Sequence, residues 1–172
     1  MNAAHEFVTV VSGSPRNGTS LLLRMLAAGG LEVLADPQPK PGQPLPHGYY
    51  DYAPSLALDV DVSTSDWVTG ALGKAVKVMA YQLQYLSPAC EYRVAFVCRS
   101  VEEALGAWES MGLGAATTEA DLLQRPGMRT LLVVHGKLTA DPAAQAARVA
   151  EFLWLPLDVG AMAGAAPRVE LR

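Results

Sequence analysis

Four runs of this chain are apolar almost throughout: residues 7–12, 75–80, 92–98 and 129–135. A strand with one wet face alternates apolar and polar positions, so runs without alternation are expected of parallel strands covered on both faces. Between them lie stretches whose apolar residues recur at helical spacing, 19–28, 64–72, 101–111 and 142–153. The last is the best marked. Asp141 stands at an N-cap, Pro142 at the first helical position, and Ala146, Val149, Ala150 and Leu153 make one stripe. Residues 31–34 add a short edge strand. Strands that alternate with helices are joined by right-handed crossovers, which predicts an α/β domain of three layers, α/β/α, around a mostly parallel central sheet. At 172 residues the chain makes one such domain, spanning 1–172.

One segment interrupts this rhythm. Residues 37–54 hold six prolines, with Gly42 and Gly48 among them, and neither a helix interior nor a central strand tolerates that density. The proline-rich loop runs through His47-Gly48-Tyr49-Tyr50-Asp51-Tyr52 near its end. A long connection that carries aromatics, an imidazole and a carboxylate is expected to be ordered there and functional.

Composition narrows the partners. Apolar residues make up 51% and charged ones 17%, ample for a core and far from the composition of disordered chains. The net charge is −4 with no Lys/Arg cluster, so nucleic acid is not an expected partner. His5, His47 and His135 are scattered, and Cys90 and Cys98 lack ligand spacing, so no metal is expected. The two cysteines read as reduced thiols. No basic and then apolar leader opens the chain, and no run of about 18 uncharged apolar residues occurs. A cytoplasmic protein without membrane contact is the expectation.

The loop after the first strand carries the strongest chemical signal. Val8-Thr9-Val10-Val11-Ser12-Gly13 leads through Ser14-Pro15-Arg16-Asn17-Gly18-Thr19-Ser20 into Leu21-Leu22-Leu23-Arg24-Met25-Leu26. Strand, glycine-bounded loop and helix in that order bring backbone N–H donors and the positive end of a helix dipole to one point, an anion site. Gly13 and Gly18 are spaced as in a nucleoside-triphosphate loop, and Ser20 stands where a magnesium-binding hydroxyl would, but Thr19 replaces the phosphate-binding lysine. Arg16 is the cation of the loop. A phosphate-like group fits it better than MgATP, which ranks a P-loop kinase or NTPase below the other readings.

The run Ser14-Pro15-Arg16-Asn17-Gly18-Thr19-Ser20 resembles the 5′-phosphosulfate loop of the sulfotransferases, in the form of their bacterial sulfotransferase-like branch, where arginine is the basic residue. The resemblance continues in order along nearly the whole chain. Gly48-Tyr49-Tyr50-Asp51 is similar to that branch's Gly-Tyr-Tyr-acid motif, and Val76-Lys77-Val78 to its lysine-bearing second strand. Residues 92–105 resemble its strand-and-helix motif with an arginine, here Arg99, and residues 138–142 with 149–153 its last helix.

This resemblance implies a P-loop NTPase-like sulfotransferase fold. It further implies transfer of a sulfuryl group from 3′-phosphoadenosine 5′-phosphosulfate to a hydroxyl or amine of a small-molecule acceptor, without metal. On that reading Ser14, Pro15, Arg16, Asn17, Gly18, Thr19 and Ser20 hold the 5′-phosphate end, and Arg16 neutralises charge on the bridging oxygen. Arg99 forks onto the 3′-phosphate, and Lys77 is either a further sulfuryl contact or a strand lysine pointing to solvent. Asp51 is the first choice of proton acceptor and His47 the second. A homodimer is compatible with all of this.

Other polar and aromatic residues have plainer expectations. Glu102 and Glu103 open a helix and serve its dipole, and His135 is a hydrogen-bonded structural histidine. Trp67, Trp108 and Trp154 pack in the core. Two positions depart from the family pattern: Ala107 replaces the serine that completes the 3′-phosphate clamp, unless Ser100 or Ser110 substitutes, and Met79 replaces the histidine base of the cytosolic branch. These departures keep open a reading of another class, a catalytically quiet nucleotide- or anion-binding or interaction protein on the same fold.

Overall fold

The computed structural model describes residues 6–13, 16–37, 50–58, 66–110 and 127–167. Strands β1 (Phe7–Gly13), β2 (Val33–Leu34), β3 (Ala75–Lys77), β4 (Glu91–Cys98) and β5 (Met128–Val134) form one sheet in the order β2-β3-β1-β4-β5. Every pairing in it is parallel. The helices are α1 (Thr19–Ala28), α2 (Ala53–Leu56), α3 (Asp66–Ala71), α4 (Val101–Ser110), α5 (His135–Ala140), α6 (Pro142–Leu153) and α7 (Val159–Gly164), and a 3-10 turn covers Ala80–Tyr85.

The unbroken apolar runs have the predicted cause. All seven residues of β1 are buried, because the sheet is covered on both faces. Val8 and Val10 join a cluster with Trp67 and Val68 of α3 and Ala104 of α4, whereas Phe7 and Val11 join one with Leu22 and Leu26 of α1, Val149 of α6 and Met162 of α7. The α/β/α layering follows. Arg93 of β4 ties three elements together, with its guanidinium 3.9 Å over the Phe7 ring and a donated hydrogen bond to the Leu153 carbonyl at the end of α6. Among the described residues no helix is long and apolar enough to cross a membrane.

Bounds agree best where a cap marks them. The Asp141 carboxylate accepts from the Ala144 N–H at 3.0 Å, and α6 starts at Pro142. The strand expected over 75–80 stops at Lys77 instead. Val78 still donates to the Val11 carbonyl (3.1 Å), but the Gln82 side chain then takes the Met79 N–H (3.2 Å) and donates to the Leu56 carbonyl (2.8 Å). That local competitor turns the backbone into the 3-10 element.

Trp67 is buried as expected, but Trp154 is 83% exposed. It ends α6 in the left-handed conformation (φ 54°, ψ 38°), a place usually held by glycine. Leu153 and Leu155 on either side of it are buried, so the reversal turns Trp154 outward. The side chain of Trp108 lies outside the described residues.

Two stability predictions follow from these features. The left-handed backbone costs an L residue about 1–2 kcal/mol, and glycine gives back about 0.4–1 through unfolded-state freedom. Trp154→Gly should therefore raise the urea midpoint by about 0.5–1 kcal/mol equivalent; a fall would show that the exposed ring makes a stabilising contact. Tyr92 is buried, its hydroxyl has no hydrogen-bond partner among the described residues, and burial, with Cys90 alongside, pushes its phenol up to about 12. Its contribution to stability is whole below the unfolded value near 10 and is lost as pH rises from there through about 12. Tyr92→Phe should flatten this alkaline loss, measured as melting temperature against pH, without lowering stability at neutral pH.

Candidate functional site

Strand β1 lies between β3 and β4, so the chain leaves it on one side of the sheet and later crosses to the other. Loops at the carboxyl ends of strands around such a reversal frame the crevice where open parallel sheets hold ligands. Gly13 and residues 16–19 stand at that point.

Two glycines make the chain's path there possible. At Gly13 (φ 152°) a Cβ would meet the Val97 carbonyl oxygen at 2.3 Å, and at Gly18 (φ 94°) it would meet Cδ2 of His135 at 2.3 Å. Arg16 also takes the left-handed region (φ 65°), at a cost of about 1–2 kcal/mol for an L residue. Such strain survives where the surroundings over-determine the backbone, typically at functional sites. With Gly18 as its N-cap, α1 has no side-chain cap and no acidic residue in its first turn. Its positive end is thus not offset by a cap or an acidic side chain of its own first turn. Beneath the loop, the fully buried Ser12 hydroxyl has no hydrogen-bond partner among the described residues.

Asn17 is buried, and its side-chain amide donates to Oε1 of Glu103 at 2.7 Å. Oε2 of the same carboxylate accepts from the Arg99 N–H at 3.1 Å, while the Glu103 N–H donates to Ser100 Oγ at 3.2 Å. Glu103 therefore clips the loop to the start of α4, beside Arg99, and its expected role as a helix-dipole residue is too narrow. The signal for this was Ser100-Val101-Glu102-Glu103, the spacing of a capping box. Glu102, which is fully exposed, keeps the plainer role: its own backbone N–H and Ser100 hold its carboxyl below the usual range.

Arg16 and Arg99 are exposed, and among the described residues neither guanidinium makes an ion pair. Ala107 packs against the apolar cluster on its face of the sheet. Neither serine weighed as its substitute is unengaged, since Ser110 donates to the Ala107 carbonyl (2.8 Å) and Ser100 caps α4.

Across β1, Lys77 Nζ lies 2.7 Å from Asp51 Oδ1, with side chains only 14% and 7% exposed. The structure thus joins two residues singled out separately in the sequence. Segment 50–56 is seated by further bonds: Asp36 N–H to the Asp51 carbonyl (2.8 Å), Ala53 N–H to Asp36 Oδ2 (2.9 Å), and Ser55 Oγ to the Lys77 carbonyl (2.8 Å). His47, Ser14 and Pro15 lie outside the described residues. His135 opens α5, with its ring against Gly18. The apolar run hid this, because the strand ends one residue earlier.

Among the described residues, a cleft lies on each side of this centre. One of about 310 Å³ is lined by Ser20, Leu21, Arg24 and Tyr50, on the Asp51 side. The other, about 300 Å³, runs along β5 from Val101 past Val134 to Lys137, Gln145 and Arg148. No protein-family model matches the chain, and no curated protein matches it in sequence.

The clip predicts a contrast between neighbouring glutamates. Hydrogen bonds to a charged group contribute about 1.5–3 kcal/mol each. Glu103→Ala should lower unfolding free energy by about that much in urea, and Glu102→Ala much less. Equal effects would show that Glu103 acts through the helix dipole alone.

Proposed function

We propose that the protein transfers a sulfuryl group from 3′-phosphoadenosine 5′-phosphosulfate to a hydroxyl or amine of a small-molecule acceptor, on a P-loop-type sulfotransferase fold. The observation that carries this reading is the uncapped end of α1 at the carboxyl end of the central strand, with Arg16 in the loop and Arg99 at the end of β4. The donor's charge is distributed in the same way, over a 5′-phosphosulfate and a 3′-phosphate.

The chemistry asks chiefly for positioning and for compensation of charge. The loop N–H groups with Thr19 and Ser20 hold the 5′-phosphate, and Arg99 takes the 3′-phosphate. The cleft along β5, with Lys137 and Arg148 in its wall, offers room for the nucleoside. The acceptor oxygen attacks sulfur, and the bond from sulfur to the 5′-phosphate oxygen breaks. Arg16 offsets the charge that this oxygen gains, and the acceptor's proton passes to Asp51 while Lys77 faces the sulfuryl oxygens. The bisphosphate then leaves.

One observation favours a second reading. Asp51 and Lys77 already satisfy one another, and a catalytically quiet nucleotide-binding protein would need no more than that. The absence of lysine after Gly18 argues against a kinase on either reading.

Calorimetry separates these possibilities. 3′-Phosphoadenosine 5′-phosphate should bind without metal and more tightly than ADP or MgATP, and Arg99→Ala should weaken it by about 1.5–3 kcal/mol. Tighter binding of MgATP would overturn the assignment. Asp51→Asn, compared at equal folded fraction, should leave bisphosphate affinity in place and lower turnover by about 10²–10⁴-fold, the scale of a general base. Good bisphosphate binding with no turnover of any acceptor by the unaltered protein would establish the quiet reading.

A further inference from the structure

The cleft on the Asp51 side has walls that select a chemical class. Ser20 and Arg24 stand one turn apart on α1 and face the same way. Leu21 and Tyr50 both pack against the apolar cluster beneath the sheet, so the cleft has an aliphatic and an aromatic wall. Tyr50 holds a left-handed backbone (φ 61°), an unfavourable state for a bulky residue. It is fixed there by its neighbour Asp51, which is buried, paired to Lys77, and bonded through its carbonyl to Asp36 N–H.

Charge in the cleft is one-sided. Asp51 and Lys77 compensate each other, whereas the Arg24 guanidinium is exposed and makes no ion pair among the described residues. A volume of about 310 Å³ stands at the lower end of ligand clefts, about 300–1,000 Å³, and suits a small molecule.

We propose that this cleft binds the acceptor, and that the acceptor is a small carboxylate with an apolar or aromatic body. The carboxylate takes the planar fork of Arg24, the body lies between Leu21 and Tyr50, and the reacting hydroxyl or amine points past Ser20 to the anion loop. That the occupant is a sulfuryl acceptor rests on the proposed function; the preference for a carboxylate does not.

The test uses three phenolic acids, 4-hydroxybenzoate, 4-hydroxyphenylacetate and 3-(4-hydroxyphenyl)propanoate, each paired with its neutral primary amide. All six are titrated calorimetrically into the full chain, with and without 3′-phosphoadenosine 5′-phosphate. At least one acid should bind about tenfold or more tightly than its amide. Arg24→Gln should abolish that preference, Arg24→Lys should restore part of it, and bisphosphate affinity should hold in both variants. The proposal is overturned if no acid binds saturably, if acid and amide bind alike, or if the preference survives Arg24→Gln. It is equally overturned if Arg24→Gln weakens the bisphosphate, since the cleft would then belong to the nucleotide. Acid preference in a protein that binds no bisphosphate would sink the sulfuryl-transfer reading and leave the cleft's selectivity standing.

Discussion

The close approach of Gly13 to the Val97 carbonyl is the constraint on which the rest of the molecule depends. Strand β1 stays in register with β4 to its last residue, Gly13 opposite Val97, and a Cβ there would collide with that carbonyl at 2.3 Å. Only glycine lets the chain leave the middle of the sheet without parting the two strands. Gly18 repeats the device one step on, where the ring of His135 lies against it. Together with the bond from Asn17 to Glu103, these contacts pin the loop to β4, α4 and α5. Residues held in this way need no further ordering to present their backbone donors.

On the other side of β1 the constraint is electrostatic. The Lys77–Asp51 pair is mostly withdrawn from water, and removing one partner of such a pair typically costs about 3–5 kcal/mol, because the other charge is then stranded. The pair is thus better at specifying where segment 50–56 sits than at adding net stability. It also places Tyr50 beside α1. Backbone sterics on one flank and a buried pair on the other therefore define the mouth of the same crevice.

Much of the fold was legible because its signals are local. The unbroken apolar runs marked the buried parallel strands, and Asp141 with Pro142 marked the start of α6 to the residue. Glycine spacing marked the turn from β1 into α1. What escaped was decided by partners distant in the chain or by single side chains. Gln82 ends β3 early, and nothing in the apolar pattern announces it. Lys77 and Asp51 were each chosen, but their pairing depends on how the connection before β3 folds back. The bond from Asn17 to Glu103 joins residues far apart in sequence, and no local pattern announces it. Trp154 was misjudged because helical periodicity does not foresee a left-handed end.

The all-parallel sheet has a consequence for how the chain reaches this state. Parallel neighbours cannot be joined by a tight turn, and β1 finds its partners only far along the chain: Thr9 pairs with Ala75, and Phe7 with Glu91. During synthesis β1, whose residues are all buried in the finished sheet, emerges before both of its partners and waits unpaired until they follow. Non-local closure of this kind is slow, and an unpaired apolar strand is open to association meanwhile. The parallel pairing that fixes Gly13 against β4 in the finished molecule is therefore also what leaves the nascent chain most exposed.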